Sequence, residues 1–202
     1  MNKILIATTN KHKIKEIAAI FSEAGLEGWE MISLDAFLDY QPPEETGKTF
    51  AENAMIKALA AAKMSGLLTL ADDSGLAVAA LNGEPGVYSA RYADLPGKTH
   101  NDAANRRKLL EQMASVPDGE RQASFVCAAA LATPEQEAFF LEGRCEGEII
   151  REERGANGFG YDSLFYLPQL AKTMAELDEE QKNVLSHRGV AMRKIALMLK
   201  DN

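Results

Sequence analysis

Five groups of residues combine side-chain types and spacings that can do chemistry. Asp72-Asp73-Ser74-Gly75 follows the apolar run Leu67–Ala71. Two carboxylates at the carboxyl end of a strand lie where open α/β sheets bind ligands. Carboxylates are hard oxygen ligands for Mg²⁺, which keeps several waters and bridges to substrate phosphates. One of them can also accept a proton from an attacking water. The competing reading is an Asp-rich turn capping the next element. A second group, Thr8-Thr9-Asn10-Lys11-His12-Lys13, joins a strand to a helix. The first N–H groups of a helix are unpaired and its dipole favours an anion, so this junction can seat a phosphate. Lys13 in the first turn opposes the dipole, which asks for a reason. The plainer alternative is a solvated turn with Asn10 as N-cap. It is not a P-loop, because the GxxxxGK pattern followed by Ser or Thr is missing.

Three more groups follow along the chain. Glu44 and Glu45 precede Asn53 and Lys57, which are four apart and share a helix face; the alternative is a solvated surface. In Gly158-Phe159-Gly160-Tyr161-Asp162 the glycines let the backbone approach a ligand. Phe159 or Tyr161 can stack on a base there, or the segment is an aromatic hairpin corner. Lys182 precedes Ser186-His187-Arg188. Ser186 is a natural N-cap, and His187 and Arg188 then place cations where the helix dipole disfavours them unless a ligand offsets the cost.

These groups need elements to hold them. Lys3–Ala7 reads as a strand, and Ile14, Ile17, Ala18 and Phe21 have helical spacing, with Gly25 as a stop. A second strand is expected near Trp29–Leu34. Gln41–Gly47 is a loop, and Thr49 with Glu52 forms a capping box that opens an alanine-rich helix ending at Gly66. Leu67–Ala71 is a strand that delivers the acidic pair; Gly83–Gly86 is a turn, and Asn101–Met113 a helix. Ala123–Ala132, Ala138–Glu142 and Glu148–Glu152 read as separate strands of an antiparallel section. Gly155–Gly160 is a loop. Lys172–Leu177 and Glu179–Val184 are short helical pieces, and Met192, Ile195, Ala196 and Leu199 mark a last helix. The class is α/β with mixed strands.

The 202 residues suit one domain or one two-lobed unit. A net charge of −8 gives no broad footprint for nucleic-acid polymers. No apolar run approaches the roughly 20 residues that span a bilayer, and the start of the chain turns polar too soon for a signal peptide. No membrane association is therefore expected, and the expected location is the cytoplasm. Cys127 and Cys145 lack CxxC spacing and are expected to be reduced, with Cys127 in the core.

Together the groups resemble the inosine triphosphate pyrophosphatase family, which acts on non-standard purine nucleoside triphosphates. The matching stretches are Thr8-x-Asn10-x-x-Lys13, Glu45-Thr46-Gly47-x-Thr49-Phe50-x-Glu52-Asn53-Ala54, Ala71–Leu76, Gly86–Tyr92, Gly158–Asp162 and Ser186-His187-Arg188. They cover nearly the whole chain in the family's order. The resemblance implies an elongated mixed central sheet with flanking helices, two lobes around a substrate cleft, and a homodimer built of one pyrophosphatase domain per chain, residues 1–202. It implies that Thr8, Thr9, Asn10, Lys11, His12 and Lys13 hold phosphate with Lys57 assisting, and that Asp73 is general base and magnesium ligand. Glu44 or Glu45 is the other metal contact, the spacing to Thr49-Phe50 favouring Glu45. Ser74 lies beside the substrate, while Phe159, Gly160, Tyr161, Asp162, Lys182, His187 and Arg188 surround the base. The chain departs from the family at Ser163, often proline, and at Ala156-Asn157.

The implied reaction is hydrolysis of ITP, dITP or XTP, with Mg²⁺, to the nucleoside monophosphate and pyrophosphate. Donors from His187 and Arg188 aimed at the 6-position would accept a keto oxygen and oppose the amino group of adenine. The alternatives are a related pyrophosphatase for other modified or pyrimidine nucleotides, and a non-catalytic nucleotide sensor.

Overall fold

Alternation of side chains along each strand sends neighbouring residues to opposite faces of a sheet, and in this chain both faces are apolar. A sheet of that kind must be covered on both sides. The computed structural model describes residues 2–26, 28–94 and 101–200. Among the described residues, seven strands form one mixed sheet in the order β2-β1-β3-β4-β5-β6-β7. They are β1 (Asn2–Ile6), β2 (Trp29–Ser33), β3 (Leu68–Val78), β4 (Gln122–Ala132), β5 (Ala138–Ile149), β6 (Phe165–Leu167) and β7 (Lys172–Thr173). β1 runs parallel to β2 and β3, whereas β5–β6 and β6–β7 are antiparallel. The helices are α1 (Lys11–Glu23), α2 (Phe50–Ser65), α3 (Asp102–Gln112), α4 (Glu179–Leu185) and α5 (His187–Lys200). The mixed sheet with flanking helices is the expected class.

The chain divides into two compact units, and β3, β4 and β5 each contribute residues to both. The first unit comprises Met1–Asp73, Cys127–Gly143 and His187–Asn202. Its sheet is covered twice. Ile4, Ile6, Leu70, Cys127, Ala129 and Leu131 pack with Ile17, Ile20 and Phe21 of α1 and Met192, Ile195 and Ala196 of α5. The alternate residues Leu5, Ala7, Ala71, Ala128, Ala130 and Ala132 pack on Ala54, Ala58, Ala61 and Ala62 of α2. Alanine against alanine lets this helix lie close to the sheet. The capping box of Thr49 and Glu52 starts α2, and Gly66, at φ +66°, ends it as expected. The second unit comprises Ser74–Val126 and Arg144–Ser186. Its core joins Leu76, Val78, Phe125, Ile149, Phe165 and Leu167 to Leu109 and Met113 around α3.

Three expected boundaries differ. β3 does not stop at Ala71 but runs through Asp72-Asp73-Ser74-Gly75 to Val78, so the acidic pair lies inside a strand. Ala138–Glu142 and residues 148–149 belong to one strand, β5, and Ile150–Glu152 lie beyond its end. Gly143 and Gly147, which lie between the two expected strands, are strand positions where the neighbours leave no room for a side chain. A Cβ on Gly143 would collide with the His187 carbonyl and lie 2.5 Å from the Ala191 nitrogen; one on Gly147 would lie 2.6 Å from Phe165. Lys172–Leu177, expected to be helical, is the two-residue β7 followed by a single 3₁₀ turn.

Candidate active site

In the first unit, strand alternation separates the two acidic neighbours. Asp72 shares the Leu70 face, toward α1 and α5, and Asp73 shares the Ala71 face, toward α2. They are therefore not a carboxylate pair. Each is buried, at 3% and 8% exposure, and each meets its own cations. A buried charge is tolerated only when paired and hydrogen-bonded.

On the α2 face, Lys57 Nζ lies 2.7 Å from Asp73 Oδ1 and 3.2 Å from Glu45 Oε1. Glu45, half-buried, is the member of the Glu44-Glu45 pair that reaches this point; Glu44 is exposed. The loop carrying Glu45 is fixed from α2. Asn53 accepts the Gly47 N–H at 2.8 Å, and Glu52 accepts the Lys48 N–H at 2.6 Å. Asn53 and Lys57 share one helix face, so a single face of α2 sets the loop and supplies the ammonium. Burial raises the Asp73 pKa above the ordinary carboxylate value; Lys57 pulls it down, and Glu45 pushes it up again. Burial alone would lower the Lys57 pKa, but Asp73, Asp72 and Glu45 hold its ammonium charged.

On the opposite face, Asp72 is an ionic hub. Its Oδ2 accepts from Lys13 Nζ at 2.9 Å and from Arg188 Nε and Nη2 at 3.3 Å each. Arg188, 2% exposed, gives Nη1 to Glu16 on α1. Burial would raise the Asp72 pKa, yet Lys13 and Arg188 hold it well below the usual carboxylate range. Burial would lower that of Arg188, and Asp72 with Glu16 raises it instead. Cys127 is also here, its Sγ 3.9 Å from Asp72 Oδ2; burial pushes its thiol pKa up, so it is an inert core cysteine.

The Thr8–Lys13 turn is self-capped. Asn10 Oδ1 accepts the N–H groups of His12 and Lys13 at 3.0 and 3.3 Å, and Thr8 Oγ1 accepts the Asn10 N–H at 3.2 Å. Thr9, Asn10, Lys11 and His12 are exposed and Thr8 is half-buried. The plainer reading of Asn10 as N-cap is thus realised, and Lys13 finds its reason in Asp72. His187 is buried at the start of α5. The resemblance implies that Arg188 lies beside the base; here its guanidinium bonds to Asp72 and Glu16.

The second unit holds Ser74, Phe159–Asp162 and Lys182. Asp162 is buried, and its Oδ2 accepts the Phe159 N–H at 3.0 Å and Lys182 Nζ at 2.9 Å. Lys182 Nζ also stands 4.8 Å from the Phe159 ring centroid. Gly158, at φ +77°, leaves no space for a Cβ beside the Asp162 carboxylate. Tyr161 is unsuited to stacking on a ligand here. It is buried, and its hydroxyl donates to the Ser89 carbonyl at 2.8 Å. Ser163, where the family often has proline, gives its hydroxyl to Glu153 at 2.8 Å, and Asn157 gives its amide to the Leu177 carbonyl at 2.9 Å. Both departures are therefore tied into the loop.

Sequence reasoning missed Glu16 and the pairing of Asp72. Glu16 lies one helical turn from Lys13, a visible i, i+3 spacing. Its partner Arg188 is 172 residues away, and nothing local announces that contact.

The model of the Ham1 family matches residues 4–198. A protein of Desulforamulus reducens named dITP/XTP pyrophosphatase is 50% identical over 192 residues, covering 95% of this chain and 92% of that one. One of Haemophilus ducreyi with the same name is 52% identical, covering 94% of each chain. The structure of a HAM1 protein from Coxiella burnetii superposes with a TM-score of 0.89 at 45% identity, covering all of both chains.

Proposed function

We propose that this chain, which belongs to the Ham1 family, hydrolyses non-standard purine nucleoside triphosphates such as ITP, dITP and XTP to the nucleoside monophosphate and pyrophosphate. The names of its relatives support the substrate class. The observation that carries the chemistry is the convergence of Glu45 and Asp73 on Lys57.

Mg²⁺ suits that donor set. Glu45 and Asp73 are hard oxygen donors that already share one cation, and among the described residues no group of three His, Cys, Asp or Glu side chains forms a cage. The substrate's phosphates and waters would complete the shell, as is usual for this ion. When bound, Mg²⁺ supplies charge neutralisation on phosphate oxygens and acidifies water.

Asp73 accepts the proton of the water that attacks the α-phosphorus. Its burial makes it a stronger proton acceptor than an exposed aspartate, and Lys57 fixes its direction. Lys57 and Lys13 offset charge on the departing pyrophosphate. Lys13 can turn to a phosphate at limited cost, because Asp72 keeps Arg188. The exposed Thr8–His12 turn seats the phosphates and Ser74 lies beside them. Phe159 offers a ring face to the purine, with Gly160, Tyr161 and Asp162 shaping its loop. Lys182 and Arg188 can only donate, and His187 can also donate, which suits a 6-keto oxygen and opposes a 6-amino group. Arg188 would first have to leave one of its two carboxylates. Residues 1–202 act as one catalytic domain in a cytoplasmic homodimer, which sedimentation would reveal as a species of twice the 22.0 kDa chain mass.

The deciding assay gives the protein ITP and Mg²⁺ and detects pyrophosphate and orthophosphate separately. Pyrophosphate in step with IMP is expected. Orthophosphate as the first product would overturn the reading.

A further inference from the structure

One turn of α3 grips a single residue of the aromatic loop, Gly160, through the peptide groups on both sides of it. Asp102 Oδ2 accepts the Gly160 N–H at 2.9 Å, and Arg106 Nη1 donates to the Gly160 carbonyl at 2.9 Å. The two side chains are four residues apart, so they share a helix face. Arg106 is itself oriented, with Nε 2.8 Å from Glu153 Oε2. The helix is fastened in turn to the segment Gly86–Tyr92, a motif that the reaction leaves without a role. Asn105 accepts the Ala93 N–H at 2.7 Å and donates to the Ala90 carbonyl at 3.0 Å, and Lys108 Nζ donates to the Tyr92 carbonyl at 2.6 Å. The same segment receives the Tyr161 hydroxyl at Ser89. All these groups lie in the second unit.

The grip falls on the residue that most needs one. Gly160 sits at φ +61° with open space around its Cβ position, so no side chain of its own fixes it. Its neighbour Phe159 carries the ring face beneath Lys182. A charge-assisted bond to the peptide on each side of Gly160 limits its φ and ψ, and so fixes the backbone from which the Phe159 ring projects. Gly86–Tyr92 and Gly158–Asp162 are thus one device, joined through α3.

We propose that Asp102 and Arg106 are positioning residues for base selection, setting the orientation of Phe159 without touching the substrate. The proposal rests on the reading of Phe159 as the base platform. Loss of one bond to a charged group corresponds to roughly tenfold in an equilibrium. Arg106→Gln and Asp102→Ala should therefore raise KM for ITP by about that factor and narrow the preference for ITP over GTP and ATP, with kcat little changed. Asp102→Asn, which keeps an acceptor oxygen, should restore most of the loss. Amide exchange at residues 159–161 should quicken in the two disruptive variants, measured on the free protein at matched stability. Unchanged KM, unchanged preference and unchanged exchange would overturn the proposal, and so would a fall in kcat alone. Faster exchange with base preference unmoved would keep the clamp but overturn its role in selection. A wild-type protein that releases no pyrophosphate from ITP would defeat the functional reading instead, a result separable by the exchange measurement.

Discussion

Asp72 and Asp73 are neighbours in the chain and meet opposite surroundings. The period of a strand turns one toward α1 and α5 and the other toward α2, so Asp72 meets Lys13 and Arg188 while Asp73 meets Lys57. Asp73→Asn keeps the shape and removes the proton acceptor. Its kcat should fall by about 10²–10⁴, the usual contribution of a general base, with KM nearly unchanged in steady-state assays. Burial raises the Asp73 pKa in the metal-free site and a bound Mg²⁺ would lower it, so activity should be lost as pH falls through an acid limb of kcat/KM that moves to lower pH as Mg²⁺ is raised. A pH–rate profile with no such limb would remove Asp73 from this role. Arg188→Ala would take two donors from the buried Asp72 carboxylate, which Lys13 also contacts. Removing one member of a buried pair costs about 3–5 kcal/mol, so urea unfolding should show a loss on that scale. The soluble fraction should also lose preference for ITP over ATP if Arg188 reaches the base during turnover.

Elements were read well where a local rule sets them and misread where a distant neighbour does. The boundaries of α2 follow from Thr49, Glu52 and Gly66, all within one or two turns of its ends. Thr49→Ala should cost about 1 kcal/mol in thermal or urea unfolding, through loss of the cap that also steadies the Glu45 loop. β5 is the contrary case. Its glycines resemble turn signals, but at Gly143 the strand passes directly under the start of α5. Gly143→Ala should destabilise the protein by about 1–3 kcal/mol, since backbone rather than a flexible side chain must give way. A calorimetric scan with an unchanged midpoint would show that α5 does not press on this position. β3 is a third instance, because its continuation through two aspartates depends on Lys57, Lys13 and Arg188 arriving from three different helices.

Across the whole molecule, the acidic pair makes stability depend on pH in two directions. Asp72 has a lowered pKa in the folded state, so its contribution is fully present above the unfolded value, about 3.9, and is lost as pH falls below it. Asp73, with a raised pKa, opposes folding above its own value and relaxes as pH falls. The acid slope of the unfolding free energy should therefore be shallower in Asp72→Asn than in the wild type, and a parallel pair of curves would contradict the assignment. The sequence by itself determined the α/β class, the caps of α1 and α2, and the run of motifs that points to the family. Each of these is written in spacings of a few residues or in the order of short motifs. Only the tertiary structure decided that the two aspartates part company, that Lys13 and Arg188 share Asp72, that Tyr161 belongs to the core, and that α3 holds Gly160. The physical reason is that a buried charge or a crowded glycine takes its meaning from whatever is packed against it. Here those partners come from elements tens to more than a hundred residues away.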